Sequence, residues 1–447
     1  MPTPDVPAAA TWRYPSSFWI ANSIELCERA AYYGLFISLV LFLTNVAGFT
    51  DVQAGWVGAF FAALVYLLPF MTGALADRMG YRPALLLSFT LLTIGYAGVG
   101  LVPSKPGVIA SLVLVATGAS FVKPIIAGTV ARTSDVASRA RAYSLFYMVV
   151  NIGSFTGKAV AKPVRTGLGL DHVPLFAAGA AAIALVLVAL FYRAPAPRED
   201  IARAEPPSLR GLVTVLKNGR FLALILITAG FWIIQGQLYA SMPKYVIRMV
   251  GDQASPEWIA NVNPFVVVLC VVPITQLARR LSPVASILIA MALVPCGALG
   301  MSASNLLAGT SFAGSVHPVT VMMIAGIALV GLAECFLSPR YLEYASKQAP
   351  PGQEALYLGY SNLNIFVAWL VGFISSGYLL EAFCPDPKTR TLAEQAARLA
   401  ALADKTAMPE AWARAHHLWY FFVGVGGLAF VLLLAFQQVT SRRDRRR

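Results

Sequence analysis

Twelve stretches of about 20 or more predominantly apolar residues recur along this chain, and a helix of about that length is what the ~30 Å hydrocarbon core of a bilayer takes. The stretches fall at 18–45, 53–76, 82–102, 107–131, 142–163, 173–193, 219–248, 258–279, 283–303, 318–346, 354–381 and 415–438. Lipid satisfies no backbone hydrogen bonds, so each is expected to be a helix. Composition agrees. Of 447 residues, 58% are hydrophobic and 12% charged, against about 25% charged in ordinary soluble domains. The mean hydropathy is +0.68. That much charge cannot cover a water-facing surface on so long a chain. The expected fold is an all-α membrane protein of twelve transmembrane helices, with the lipid bilayer as its first partner.

The net charge of +13 would suggest nucleic acid in a soluble protein. Here Lys and Arg concentrate between the apolar stretches, where they set topology. Arg78, Arg82, Arg132, Arg139, Arg141 and the tail at 442–447 share one side if the N-terminus is cytoplasmic. Both termini are therefore expected in the cytoplasm and the protein in the cell (inner) membrane, with no nucleic-acid partner. The longest interior link, 194–218, is polar and Pro-rich and divides the chain into an N-terminal six-helix bundle (1–193) and a C-terminal one (219–447). Two such bundles suggest a carrier with its site between them. The loop 382–414 falls on the outer side, and its stretch TLAEQAARLAALADK has helical periodicity. A solvated cap is the preferred reading of that loop.

Other features exclude rival classes. Cys27, Cys270, Cys296, Cys335 and Cys384 show no metal-binding spacing. Small buried hydrophobes is the reading for the first four, which lie within apolar stretches. No basic region leads to a cleavage site, so no removable signal peptide is expected. HExxH and GxSxG are absent, and His172, His317, His416 and His417 lie outside the spans or at their ends. No nucleophile–base constellation appears, so the chain is read as no enzyme. Gly153 and Gly157 form a GxxxG pair that allows close helix approach.

Ionisable residues within the spans cost roughly 2.5–3.5 kcal/mol each on insertion scales and are functional candidates by default. They are Glu25, Glu28, Arg29, Lys123, Lys158, Lys244, Glu334, Arg340 and Glu343. Lys158, Lys244, Arg340 and Glu343 are read as snorkelling to an interface. The others look deeper. Glu25, Arg29 and Tyr33 are spaced i, i+4, i+8 on one helix face, and Glu28 and Tyr32 join it. Two carboxylates one turn apart beside a cation can change charge state, and the cation responds. A permanent ion pair that only locks packing is the alternative. Lys123 precedes Pro124, and Glu334 lies between Gly331 and Pro339. Paired across a central cavity, the two would form a breakable tie between the halves.

Two signatures are visible. GALADRMGYR (73–82), with Gly73, Asp77, Arg78, Gly80 and Arg82, resembles the loop motif of the major facilitator superfamily. In that family the Asp packs against the inner end of a neighbouring helix. ELCERAAYYG (25–34) resembles the ExxERFxYYG motif of the proton-dependent oligopeptide transporter family, with Ala30 in place of Phe. VKP (122–124), FYMVVNIGSF (146–155), VNPF (262–265) and ECFLSPRYLEYASKQAP (334–350) resemble further family segments in order. The resemblance implies that Glu25, Glu28 and Arg29 carry proton coupling. It implies that Lys123 pairs with Glu334 at the inner gate, and that Glu334 binds a peptide amino group. Tyr33, Tyr66 and Asn151 match positions lining the peptide backbone. The coupling ion is the proton, and no other cofactor is called for.

One departure bears on the substrate. Family peptide carriers usually have an Arg two positions after the YYG glycine, paired with an acid on the seventh helix. Here those positions are Phe36 and Gly236, the latter beside Gln237. Losing both partners together makes sense, because one left alone would strand a buried charge at about 3–5 kcal/mol. The gate there is expected to be apolar or differently hydrogen-bonded, with Phe36 and Gln237 among the substrate-lining residues. The expected function is proton-coupled symport of peptides or modified, peptide-like solutes lacking a free carboxylate. A carrier or exporter of a non-peptide amine or natural product is the alternative. A non-transporting sensor on a transporter fold is the rival from another class, and the retained ExxER cluster argues against it.

Overall fold

The computed structural model describes residues 14–135, 138–196, 209–304, 316–349, 354–404 and 406–444, and among them all regular structure is helical. The segment 1–13, residues 197–208 of the predicted linker and the end of the basic tail (445–447) lie outside the described residues. Among the described residues, ten helices are long and apolar enough to cross a membrane. An eleventh counts if Asp51–Leu67 and Met71–Met79, bent by 42°, form one span. The remaining expected span, 142–163, lies in the 29-residue helix Arg139–Gly167. Its arginines and lysines make it less apolar than the rest, and Lys158 is buried all the same.

Several expected spans are broken, for local reasons. Pro69 starts a new helix after Leu67, because its ring clashes with the carbonyl four residues back and it donates no N–H. The span 219–248 comprises Gly219–Gln235, Gln237–Ala240 and Met242–Val250, with Pro243 near the start of the last piece. The span 354–381 divides into Glu354–Ser361 and Leu363–Phe383. Gly80 joins Met79 to Tyr81 at φ 86° and ψ 149°, a conformation essentially reserved for glycine. That geometry explains the second glycine of the GALADRMGYR loop.

The connecting segments carry helices of their own, and for one of them an expectation is corrected. Part of the 194–218 linker is the helix Leu209–Lys217, whose Leu and Val residues recur at helical spacing. The loop 382–414 is an anchored element and not a solvated cap. Its helix Leu392–Asp404 starts with a capping box. Thr391 N donates to Glu394 Oε2 at 2.9 Å, and Glu394 N donates to Thr391 Oγ1 at 3.3 Å. Arg398 and Ala401 of that helix are buried, and buried Trp412 donates from Nε1 to Pro385 O at 3.0 Å.

The chain forms two compact units. One comprises Met1–Leu35, Leu67–Val164 and Asp171–Pro206, and the other Phe36–Tyr66, Arg165–Leu170 and Pro207–Arg447. In the first, helix Tyr81–Leu101 packs against Lys105–Arg132 and Val173–Leu190, and Ser88 Oγ donates to Gly118 O at 2.7 Å. Helix Ser16–Asn45 meets Arg139–Gly167 backbone to backbone. A Cβ added to Gly153 would lie 2.7 Å from Arg29 Cβ, and one on Gly157 would lie 2.8 Å from Ala30 Cα. The expected role of this glycine pair is thus met in the structure. In the second unit, Pro283–Ser302 packs against both Pro318–Lys347 and His417–Asp444. Of the cysteines, Cys335 and Cys384 are buried, Cys27 and Cys270 partly so, and Cys296 is exposed. The expectation of a buried thiol is therefore corrected at Cys296.

Candidate functional site

The tight helix contact at Gly153 and Gly157 places the first helix's ionisable residues in the interior of the first unit. Glu25 is 1% exposed and Glu28 is fully buried. Arg29 Nε contacts Glu25 Oε1 at 3.4 Å and donates to Glu28 Oε2. The guanidinium carbon lies 5.3 Å from the Tyr32 ring centroid and 5.9 Å from that of Tyr33, so the cation rests on aromatic faces. Each carboxylate keeps one oxygen, Glu25 Oε2 or Glu28 Oε1, with no hydrogen-bond partner among the described residues. The buried Tyr96 hydroxyl is in the same state and lies within electrostatic reach of Glu28 and Arg29.

Lys158 was expected to snorkel, and the structure corrects this. It is 1% exposed, with Nζ 5.6 Å from the Tyr33 ring centroid. The neighbouring Gly157 brings this helix against Ala30 of the first helix. Lys123 is exposed and within electrostatic reach of Arg29, Glu25 and Glu28. Asn151 is partly exposed and donates to Tyr147 O in its own helix at 2.8 Å. Among the loop-motif residues, Arg82 donates to Ala189 O at 2.7 Å. Asp77 and Arg78 are exposed, so Asp77 does not pack inward as the resemblance implied. Tyr81 takes the inner contact instead, its ring 4.0 Å from the Arg132 guanidinium carbon.

In the second unit, Phe36 is 1% exposed and sits in an aromatic cluster. It stacks on Trp369 at 5.0 Å and 7°, with Tyr239, Phe373 and Phe61 at 4.8, 5.8 and 6.1 Å. Tyr66 meets the Trp369 ring edge-on at 5.7 Å. A Cβ added to Gly236 would lie 3.6 Å from Trp369 Nε1. Aromatic faces therefore occupy the place where an ion pair was expected and found missing. Gln237 is buried and serves its own unit. It donates to Ile233 O at 2.8 Å and Gly372 O at 3.4 Å, and accepts from Ser241 Oγ at 2.7 Å. Glu334 is partly buried and accepts from Asn263 Nδ2 at 3.2 Å.

A second charged cluster in this unit escaped sequence reasoning. Asp51 is 5% exposed. It accepts from Lys244 Nζ at 2.8 Å and from Arg248 at 2.8 and 2.9 Å. Arg248 also lies 3.3 Å from Asp386. Buried Glu257 accepts from Arg165. Lys244 is 2% exposed and therefore does not snorkel as expected: its carboxylate partner is inside. Arg340 pairs with Glu343 at 2.6 Å, and Glu343 with Lys347 at 2.6 Å; that group is partly exposed.

The all-helical fold and its membrane-spanning helices define a multi-pass membrane protein. The sequence profile of the Major Facilitator Superfamily matches residues 23–304, and the chain belongs to that superfamily. Among its relatives is the multidrug resistance protein MdtH of Aeromonas hydrophila, 24% identical over 312 residues, which are 70% of this chain and 74% of that one. MdtH of Proteus mirabilis is 24% identical over 337 residues, 74% of this chain and 80% of that one. Among solved structures, the POT family transporter PepTSo superposes with a TM-score of 0.72 at 17% identity, over 96% of this chain and 99% of that one. A POT family transporter in complex with 5-aminolevulinic acid gives 0.72 at 17%, over 98% of each chain. The fold is that of these transporters, and the protein is a transporter of the Major Facilitator Superfamily.

Removing one partner of a buried ion pair leaves an uncompensated charge, at a cost of about 3–5 kcal/mol. Asp51→Ala strands Lys244 and Arg248 and is expected to lower the unfolding midpoint of the purified protein markedly. A midpoint within experimental scatter of the parent would contradict this reading of the cluster.

Proposed function

We propose that this chain is a proton-coupled symporter of peptides or peptide-like solutes, working by alternating access in the cell (inner) membrane with both termini cytoplasmic. The observation that carries the reading is the first-helix cluster. Two buried carboxylates share one guanidinium, and each retains an oxygen that no described group occupies. A proton can bind there without first displacing Arg29. Neutralising either carboxylate then weakens its hold on Arg29, because an ion pair loses its Coulomb attraction when one member is neutral.

In this reading Lys123 ties to Glu334 when the inner gate closes, and the substrate's amine competes for Glu334. Asn263 already orients that carboxylate. Tyr33, Tyr66 and Asn151 line the peptide backbone. A proton moving inward down ~100 mV gains about 2.3 kcal/mol, enough to drive accumulation. Ordinary peptides bind weakly in this reading, or the substrate lacks a free carboxylate. Phe36 stacks on Trp369 and offers no cation to hold one, and burying an unpaired carboxylate against aromatic faces is costly. Amidated or otherwise modified peptides with an apolar end meet this requirement.

The relatedness to MdtH, named for multidrug resistance, favours a second reading: proton-driven export of a non-peptide amine. The same carboxylates would serve it, with proton and substrate moving oppositely.

Glu28→Gln is expected to leave counterflow exchange of alanyl-phenylalaninamide measurable in proteoliposomes while abolishing its pH-driven uptake. Undiminished pH-driven uptake refutes the coupling assignment. Loss of both activities in a folded protein refutes it too. For the substrate, binding to the folded state raises stability by mass action, by about 2.7 kcal/mol at a hundred times Kd. Alanyl-phenylalaninamide is expected to raise the unfolding midpoint at lower concentration than alanyl-phenylalanine. The reverse order would contradict the carboxylate argument.

A further inference from the structure

The second unit holds a cavity of ≈ 460 Å³ lined by none of the residues assigned to proton or peptide. Its cations are Arg165, Lys244, Arg248, Lys388 and Arg398, and its carboxylates are Asp252 and Asp386. What matters is which of these charges are already matched. Arg165 is held by buried Glu257, and it also donates to the carbonyls of Asp252 (3.0 Å) and Ala254 (2.6 Å). Lys244 and Arg248 share Asp51, and Asp386 lies 3.3 Å from Arg248. Arg165, Arg248 and Asp386 are matched in this way, Lys244 in part, and the exposed Asp252 carboxylate forms no ion pair among the described residues.

Arg398 has no such match. It is 6% exposed and forms no ion pair among the described residues. Its Nε donates to Arg248 O at 2.9 Å and its Nη2 to Ile247 O at 3.2 Å, which caps the last turn of helix Met242–Val250. Its stem lies by Trp412, with the guanidinium carbon 5.9 Å from that ring centroid. Nη1 makes no hydrogen bond among the described residues. A guanidinium has five donors in a rigid fork, and capping uses only one side of it. Burial holds the Arg398 pKa below its ordinary value, with Asp252 the first of the charges that oppose this. The Nζ of Lys388, exposed on the same cavity, donates to Asn45 O at 3.2 Å, and among the described residues its side chain has no other hydrogen bond. Lys244 Nζ donates to Asp51 and has further hydrogens to give.

We infer that this cavity is a binding site for a small oxyanion, a phosphate or the phosphate of a lipid headgroup, held by the open edge of Arg398 together with Lys388 and Lys244. A planar fork and two ammonium groups around one cavity suit a group with several oxygens. The occupant would bridge the Leu392–Asp404 helix to Lys388 of the preceding turn and to helix Met242–Val250. It would therefore fasten the 382–414 segment in the position seen here.

The test uses the full-length protein, purified in detergent. Phosphate is titrated at constant ionic strength against chloride, and the unfolding midpoint is read. Losing one charge-assisted hydrogen bond is worth roughly a tenfold or larger change in affinity. The expected result is a saturable rise in the parent, with the half-saturating phosphate concentration shifted upward by about that factor in Lys388→Gln and further in Arg398→Gln. Lys388 is exposed, so that variant keeps the test valid where Arg398→Gln fails to fold. A parallel series in nanodiscs compares phosphatidylglycerol with phosphatidylcholine. Stabilisation by phosphatidylglycerol that both variants weaken, without a response to free phosphate, assigns the site to a headgroup. A rise that chloride matches, or one unchanged in Lys388→Gln, overturns the proposal.

Discussion

The close contact of the first helix with Arg139–Gly167 is the constraint on which the candidate coupling site depends. Gly153 and Gly157 have no side chains to hold the helices apart, and small residues are what permit such approach in a bilayer, where no hydrophobic drive brings helices together. The contact buries Glu25 and Glu28 beside Arg29, away from lipid and water.

Charge and its absence divide the labour in the other unit. Where an ion pair would be expected, at Phe36 and Gly236, the chain has a stacked aromatic cluster around Trp369. Elsewhere in that unit it invests in buried ion pairs, Asp51 with Lys244 and Arg248, and Glu257 with Arg165. An aromatic cluster holds by area and stacking and costs little desolvation. An ion pair inside protein holds only while both members remain in place. The two kinds of contact would therefore respond differently to movement, the first yielding gradually and the second breaking abruptly.

Much of this was legible in the sequence. Apolar length gave the spans, the ExxER spacing gave the clustered face of the first helix, and the GxxxG pair gave the close contact. The joint loss of a cation at 36 and an acid at 236 correctly pointed to an apolar surface. What was not legible had a common cause. Lys244 was read as snorkelling because its partner Asp51 is 193 positions away, and Arg165 and Glu257 are 92 apart. No local pattern reveals that such residues meet. The burial of Lys158 is of the same kind, since its contact is with Tyr33 of another helix and not with its neighbours in sequence. The 382–414 segment carried a capping box in TLAE, a signal strong enough to have placed the helix. The burial of Arg398 beneath it depended on tertiary contacts alone.

The central claim is that Glu25 and Glu28 carry the proton that moves with substrate. The most direct measurement is substrate-driven proton flux into proteoliposomes loaded with a pH-sensitive dye. On addition of alanyl-phenylalaninamide with an inside-negative potential, the parent protein is expected to acidify the lumen. The Glu25→Gln, Glu28→Gln double variant should not do so, while still being stabilised by the same ligand. Acidification by the double variant at the parent's rate would contradict the account.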